Sequence, residues 1–344
     1  MAIVASRPIA SSPVYRALRR IAHLSVFGTA LTGIALASNV VQIVTLAMYP
    51  FSRRAVGRIN AFICQCIWRT IDFAFERANK ARITFSGSGL ASIPTNTQSV
   101  LLSTSAEKPA TESAIVISNH VFAMDWALLN AIAMRRGMLA HCKYFIKKSM
   151  QWVPFFGVGM RLAGFPFLSR NWASDSHKIE RVFHNLKSDK LPCWLISFLE
   201  GTRITPKKLA ESQAFCQSRD LPVFANVLYP RKKGFVATLS ALRDSHVRHV
   251  YDFTLGYLDV ATGEVNVRAP NLAAMHADDL SGEYAFHIHV ERIAISDIPE
   301  DDAGIEQWVE DRWRIKDALI ASWKVQWPRA GVDAGVVLEP FYST

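Results

Sequence analysis

The stretch Ala114-Ile-Val-Ile-Ser-Asn-His-Val-Phe-Ala-Met-Asp-Trp126 decides the fold class of this 344-residue chain. Its first five residues form a short apolar run, which is typical of a strand buried in a sheet, and residues 125–137 continue as a predicted helix. A second apolar run at 193–198 leads directly into Leu199-Glu-Gly-Thr-Arg203. Both polar blocks therefore follow the carboxyl end of a predicted buried strand, where open α/β sheets bind ligands.

The sequence on either side of these two strands predicts an α/β layer. Further predicted strands lie at 223–228, 248–260 and 284–295. Residues 305–323 predict a closing helix. Because strands alternate with helices but some strands follow one another, we expect an α/β fold with a mixed, largely parallel sheet flanked by helices.

Composition favours an anionic partner: nucleic acid, an acidic membrane surface or a phosphorylated ligand. The chain has 39 Lys and Arg against 29 Asp and Glu, which gives a formal net charge of +10 at pH 7. Its 5 cysteines contain no C-x-x-C pair and are odd in number, so the sequence predicts reduced thiols and neither a disulfide framework nor a zinc site.

One segment predicts contact with a membrane. Between Arg20 and Arg53 the chain has no Lys, Arg, Asp or Glu, and this run exceeds the roughly 20 apolar residues that cross a bilayer. A buried core helix is the alternative, because several Thr, Ser, Asn and Gln residues dilute the hydrophobicity. We expect a transmembrane or membrane-embedded helix at 21–51, after an N-terminal tail at 1–20.

Periodicity and composition set the remaining boundaries. Residues 52–85 predict an amphipathic, membrane-proximal helix and a short strand, and residues 86–113, rich in Ser and Thr, predict a flexible loop. The α/β domain that carries both polar blocks is expected at 114–260. A C-terminal extension that packs on this domain is expected at 261–330, followed by a tail at 331–344.

His120 and Asp125 predict a general base and the carboxylate that orients it. Histidine suits proton removal because its ordinary pKa, about 6.5, leaves the imidazole largely neutral at physiological pH. Five positions on a regular helix do not share a face, so the strand-to-helix loop must bring the two side chains together. Taken alone, the pair is also compatible with a surface histidine beside a helix carboxylate.

Basic residues near the second polar block predict phosphate binding. Arg203 follows a Gly-Thr turn at a strand end, and a guanidinium can bind a phosphate through two parallel hydrogen bonds. The alternative for Arg203 is a surface ion pair. Arg231, Lys232 and Lys233 are candidates for the phosphates of a soluble ligand or for anionic lipid headgroups, and the sequence does not separate these two ligands.

Four ordered blocks resemble the glycerophospholipid acyltransferases, the superfamily of lysophosphatidic acid acyltransferases. The first is Asn119-His-x4-Asp125 and the third is Glu200-Gly-Thr-Arg203. Residues 145–172 resemble the second block, and Leu228-Tyr-Pro-Arg-Lys-Lys-Gly-Phe235 is similar to the fourth. Leu199 departs from the proline that the family usually has, although the turn that follows it is intact.

The resemblance implies roles for particular residues and makes 114–260 the acyltransferase catalytic domain. It implies that His120 and Asp125 are catalytic. It implies substrate binding by Asn119, Lys148, Arg170, Glu200, Gly201, Thr202 and Arg203. For Lys148, which follows another lysine, a merely solvated charge is the alternative.

The expected function is acyl-CoA-dependent esterification of the free hydroxyl of a lysophospholipid, first of all lysophosphatidic acid. Acyl-CoA is then a co-substrate, no cofactor or metal is expected, and the protein is expected to be integral to the endoplasmic reticulum membrane. The alternatives are a lysophosphatidylinositol or other remodelling acyltransferase, a transacylase, and a non-catalytic membrane-anchored protein that binds anionic lipids. No nucleic-acid-binding motif is recognisable, so a nucleic-acid partner is not expected.

Overall fold

The computed structural model describes residues 13–90, 111–169 and 172–330. In chain order its strands are β1 (Arg82–Ser86), β2 (Ala114–Ser118), β3 (Cys142–Tyr144), β4 (Ile146–Lys147), β5 (Phe167–Leu168), β6 (Trp194–Phe198), β7 (His249–Asp259) and β8 (Tyr284–Ala294). Its α-helices are α1 (Pro13–Thr45), α2 (Arg53–Asp72), α3 (Asp125–Arg135), α4 (Phe156–Leu162), α5 (Trp172–Asp189), α6 (Pro206–Gln217), α7 (Lys232–Leu242), α8 (Leu272–Ala277) and α9 (Asp302–Ala330).

The central sheet has six strands in the order β1-β8-β7-β2-β6-β3. Only the neighbours β7 and β8 are antiparallel, while the other four neighbouring pairs of this sheet are parallel. The predicted α/β class with a mixed, largely parallel sheet is therefore confirmed. β2 lies between β7 and β6, and β6 continues the parallel order to β3. The carboxyl ends of β2 and β6 consequently lie side by side at one edge.

Both faces of the sheet are covered by apolar side chains. In β2, Val116 faces a core that includes Leu128 and Ile132 of α3, whereas Ile115 faces a second core built from α5, α7 and α9. All five residues of β2 are buried. This explains why the strand reads as a continuous apolar run, since a parallel strand covered on both faces has no solvent side. Trp313 of α9 is fully buried in the second core.

The predicted strand at 223–228 is wrong, because these residues form a loop. The backbone amides of Ala225 and Asn226 donate to a carboxylate oxygen of Asp317 on α9, at 3.0 Å and 2.5 Å. A side chain thus satisfies the donors that a neighbouring strand would have used. Phe224 and Val227 are nevertheless buried, which accounts for the apolar run that suggested a strand.

The long apolar helix α1 packs against the body of the protein at both of its ends. Near its start, Nε of Arg20 lies 3.6 Å from Oδ1 of Asp278, and the Phe27 ring stacks on the His276 ring of α8. Near its end, Asn39 donates to the carbonyl of Phe155 at 2.9 Å. The segment 17–48 is, among the described residues, the one helix long and apolar enough to cross a membrane. α1 is therefore attached to the body near both ends, while most side chains of its apolar segment are exposed.

Parts of three predicted segments lie outside the described residues. They are 1–12 of the N-terminal tail, 91–110 of the Ser- and Thr-rich loop, and the C-terminal tail at 331–344. The predicted helix and strand at 52–85 are present as α2 and β1, joined by a short π-helix at Phe73–Ala78. The domain boundaries proposed from the sequence stay predictions.

A buried ion pair joins the π-helix to α3. The Arg135 guanidinium donates to both carboxylate oxygens of Glu76, at 3.0 Å and 2.7 Å, and both side chains are almost completely buried. Arg135→Met should lower the free energy of unfolding by about 3–5 kcal/mol, because it leaves the Glu76 charge buried without its partner. Chemical denaturation in detergent micelles measures this loss.

The double variant Arg135→Met/Glu76→Leu is the matched control for this pair. It removes both charges together, so it should recover most of the lost stability. Equal destabilisation of the single and double variants would show that the ion pair is not what joins these elements.

Candidate active site

The loop between β2 and α3 is held in place by side chains on both of its ends. Asn119 accepts a hydrogen bond from the Leu255 amide at 2.8 Å and donates to the Leu255 carbonyl at 3.2 Å, which ties the loop to β7. At the other end, the Asp125 carboxylate accepts from the amides of Val121 at 2.7 Å and Phe122 at 3.0 Å. The loop thus folds back around the first residue of α3.

This loop brings His120 and Asp125 together, as the sequence required. Nδ1 of His120 lies 2.7 Å from Oδ2 of Asp125, and the Tyr257 hydroxyl donates to Oδ1 at 2.6 Å. An ionised carboxylate is only an acceptor, and this one is fully buried with four donors around it. The network therefore assigns the proton to Nδ1 of His120, which leaves the lone pair on Nε2.

The His120 ring forms part of the wall of a cavity of about 850 Å³. It stacks on Phe198 with ring centroids 4.3 Å apart and planes 21° apart, and its side chain is 21% exposed. A cavity of this size lies within the range of small-molecule sites, about 300–1,000 Å³. Asp125 thus orients the imidazole, and the ring is accessible to a ligand in the cavity.

Two hydrogen bonds join the second polar block to the first. The His120 amide donates to Oε1 of Glu200 at 3.3 Å, although the two residues are 80 positions apart. The Ile204 amide donates to the His120 carbonyl at 2.9 Å. The adjacent ends of β2 and β6 make these contacts possible, because Ser118 and Phe198 are paired in register. One compact group of loops therefore carries both blocks.

Gly201 allows a cationic side chain to lie against this turn. Its φ of +68° is in the left-handed region, and a Cβ there would lie 3.0 Å from both Cδ and Nε of Arg231. The Arg231 amide also donates to the Leu199 carbonyl at 2.7 Å. Arg231 and Gly201 both line the cavity together with His120.

The remaining predicted site residues take different positions. Arg203 is exposed and is not among the residues that line the cavity, and Lys148 is exposed next to the cavity residue Lys147. Lys208 donates to the hydroxyl of Thr202. Arg170 lies outside the described residues.

For Asn119, both side-chain polar atoms are bonded to Leu255 and the residue is buried, so this geometry gives no support to substrate binding. Sequence reasoning did not identify Tyr257, which is 132 positions from Asp125, and no spacing signal points to it. The role of Phe198 as a stacking partner was also missed, because its position predicted only a strand residue.

Burial raises the pKa of Glu200 from 4.5 to about 8, against the opposing effect of the Leu228 and His120 backbone groups. The carboxyl group is therefore mostly protonated in the folded protein at neutral pH.

Glu200→Gln should gain stability relative to the unchanged protein as the pH rises from about 4.5 to about 8. Over this interval the unfolded glutamate ionises while the folded one stays protonated, so the unchanged protein loses stability and the glutamine variant does not. Above about pH 8 both states of the unchanged protein are ionised, and the difference should become constant. Melting temperatures of the two proteins across this range, in one detergent, measure the difference; a constant gap throughout would contradict the raised pKa.

Comparison with known proteins identifies a family for the chain. The profile described as Acyltransferase matches residues 99–257, and that described as Acyltransferase C-terminus matches residues 280–326. The 1-acyl-sn-glycerol-3-phosphate acyltransferase 3 of Arabidopsis thaliana is 32% identical over 283 residues, which are 82% of this chain and 69% of that protein. The 1-acyl-sn-glycerol-3-phosphate acyltransferase delta of Rattus norvegicus is 29% identical over 282 residues, 82% of this chain and 68% of that protein.

A probable 1-acyl-sn-glycerol-3-phosphate acyltransferase 5 of Arabidopsis thaliana is 30% identical over 250 residues, but the match spans only 58% of its length and 72% of this chain. No solved structure matches the chain significantly. The predicted family is confirmed by the two matched profiles and by the first Arabidopsis relative, which is similar over most of both chains. The chain therefore belongs to the glycerophospholipid acyltransferase family, whose members are O-acyltransferase enzymes.

Proposed function

We propose that the protein transfers an acyl group from acyl-CoA to the free hydroxyl of lysophosphatidic acid, giving phosphatidic acid. The observation that carries this proposal is the imidazole of His120, which is braced by the buried Asp125 and opens into a cavity. The relatives named 1-acyl-sn-glycerol-3-phosphate acyltransferases support the choice of acceptor.

In the proposed reaction, Nε2 of His120 removes the proton of the acceptor hydroxyl as its oxygen attacks the thioester carbonyl. The carbon–oxygen ester bond forms, the carbon–sulfur bond breaks, and the coenzyme A thiolate leaves and takes up a proton. The Asp125 carboxylate stabilises the imidazolium that forms in between. An acyl thioester is already activated, so this reaction needs no covalent enzyme intermediate.

The acceptor phosphate is proposed to bind at the turn that contains Glu200 and Arg203. No carboxylate lies within ion-pair distance of Arg203 in the part of the chain that the structure describes, so its guanidinium is available for an anion. The phosphate of lysophosphatidic acid is only a few bonds from its free hydroxyl. A seat next to Glu200, which binds the His120 amide, fits that short separation.

His120→Ala should lower turnover by about a hundredfold or more, because it removes the proposed base. The assay uses purified protein, oleoyl-CoA and a panel of lysophospholipids that includes lysophosphatidic acid and lysophosphatidylinositol, with products identified by mass spectrometry. An unchanged melting temperature shows that the variant is folded. Retained activity would contradict the role of His120, and absence of any product from the unchanged protein would favour a non-catalytic lipid-binding protein.

Arg203→Ala is the companion variant in the same assay. It should raise the Michaelis constant for lysophosphatidic acid and leave kcat largely intact, because it removes binding and not proton transfer.

Reactions that contain a diacyl phospholipid but no acyl-CoA test the transacylase alternative.

Tyr257→Phe should lower kcat by about tenfold, because Asp125 loses one of the donors that fix its position. Tyr251→Phe is a matched control: it lies on the same strand and loses a hydroxyl that contacts Glu112 and not Asp125. The control should keep full kcat. If both variants lose activity equally, a general effect on β7 explains the loss, and Tyr257 has no positioning role.

We also propose that the protein acts at a membrane surface, in the endoplasmic reticulum. Helix α1 contacts both α2 and α4. Exposed apolar side chains lie on these three helices and on the segments that connect them. These exposed side chains include Val44, Phe51, Phe62, Phe73, Trp152 and Val158. The segment 148–152 continues directly from Lys147 in the cavity wall, so this surface leads towards the site.

The triple variant Phe51→Ser/Phe62→Ser/Trp152→Ser should bind phosphatidylcholine–phosphatidylserine vesicles about tenfold more weakly, since three exposed aromatic groups no longer enter the lipid. Val223→Ser/Val267→Ser, which changes exposed apolar residues elsewhere, is the control and should bind as the unchanged protein does. Vesicle flotation measures both. Equal loss in the two variants would contradict the assignment of this surface.

A further inference from the structure

The cavity extends far beyond His120, along one face of α6. Ser212 and Phe215 line it from one side of the helix, and Arg219 lines it from the turn that follows the helix end at Gln217. α6 begins two residues after Ile204, which binds the His120 carbonyl. Its 12 residues rise about 18 Å, and Arg219 follows the end of the helix that is farther along the chain from this contact.

The cavity wall carries cations that have no carboxylate partner among the described residues. In the described part of the chain, no carboxylate lies within ion-pair distance of Arg219, Arg231 or Lys233, all of which line the cavity. Lys232 differs, because it lies 2.6 Å from Glu310 and 3.3 Å from Glu306. The three uncompensated charges therefore favour an anionic ligand in this cavity.

An aromatic ring holds one of these cations in position. The Arg219 guanidinium lies over the Phe215 ring, with its central carbon 4.5 Å from the ring centroid. Both side chains are exposed to the cavity, so the flat stack is accessible to a ligand. A guanidinium on an aromatic ring offers a planar face for a nucleobase and two or more donors for a phosphate.

The length of the cavity distinguishes the two proposed substrates. In a lysophospholipid the phosphate is only a few bonds from the reacting hydroxyl, so it stays near His120 and cannot reach Arg219. In acyl-CoA the pantetheine arm separates the thioester sulfur from the nucleotide phosphates by a length comparable to α6. We propose that Phe215 and Arg219 bind the 3′-phosphoadenosine diphosphate end of the acyl-CoA donor, an inference that rests on the proposed function.

The test compares donors that differ only at the nucleotide end: oleoyl-CoA, oleoyl-3′-dephospho-CoA and oleoyl-pantetheine. Arg219→Ala should raise the Michaelis constant for oleoyl-CoA about tenfold, with kcat and the Michaelis constant for lysophosphatidic acid unchanged. The constant for oleoyl-pantetheine should not change. Lys207→Ala is the control, because Lys207 lies near the start of α6, is 87% exposed and does not line the cavity.

A binding measurement separates this inference from the proposed function. Adenosine 3′,5′-bisphosphate should bind the unchanged full-length protein in calorimetry, and Arg219→Ala or Phe215→Ala should weaken binding about tenfold. If the unchanged protein does not bind this nucleotide, or if Arg219→Ala raises the constant for lysophosphatidic acid instead, the inference is overturned. Nucleotide binding through Arg219 in a protein that makes no phosphatidic acid would support the site and contradict the proposed function.

Discussion

The rest of the site depends on one buried charge, the carboxylate of Asp125. Burying a charge is costly unless every lone pair finds a donor, and here two loop amides, a tyrosine hydroxyl and an imidazole supply the donors. The same four contacts define the path of the loop, the anchor on β7 and the orientation of His120. The local fold and the proposed chemistry are therefore consequences of a single electrostatic requirement.

The parallel order of the central strands supplies the second constraint. Because β2 and β6 are parallel neighbours, the polar residues that follow them meet at one edge although they are far apart in sequence. The long helix α9 supports the neighbouring strand β7, where the buried Lys316 donates to the Phe253 carbonyl at 2.7 Å. Residues outside the matched catalytic blocks thus hold the sheet on which the site is built.

Much of this arrangement could be predicted from the sequence, for identifiable reasons. β2 and β6 are apolar on both faces, so these strands and the fold class followed from the pattern of the sequence. The pairing of His120 with Asp125 was expected from their place after a strand end and from the family resemblance, and not from their spacing. The loop at 223–228 was misread because burial and strand formation give the same apolar signal, and only the distant Asp317 decides between them.

Contacts between distant segments could not be predicted from the sequence either. Nothing in its spacing shows that Tyr257 reaches Asp125, or that the cation lying against Gly201 in the cavity wall is Arg231 while Arg203 lies outside it. These pairings depend on how loops from several strand ends meet in three dimensions.

The double hydrogen bond between Asn119 and Leu255 has a mechanical consequence. The first residue of the loop that carries His120 is hydrogen-bonded to the central strand β7, and the Val121 amide is hydrogen-bonded to Asp125. This loop therefore has little freedom to rearrange when a ligand binds. Such preorganisation lowers the reorganisation energy of any charge transfer at the imidazole. Local motions that admit a bulky ligand are then expected in other parts of the cavity wall, where α6 and residues 145–152 carry more exposed side chains.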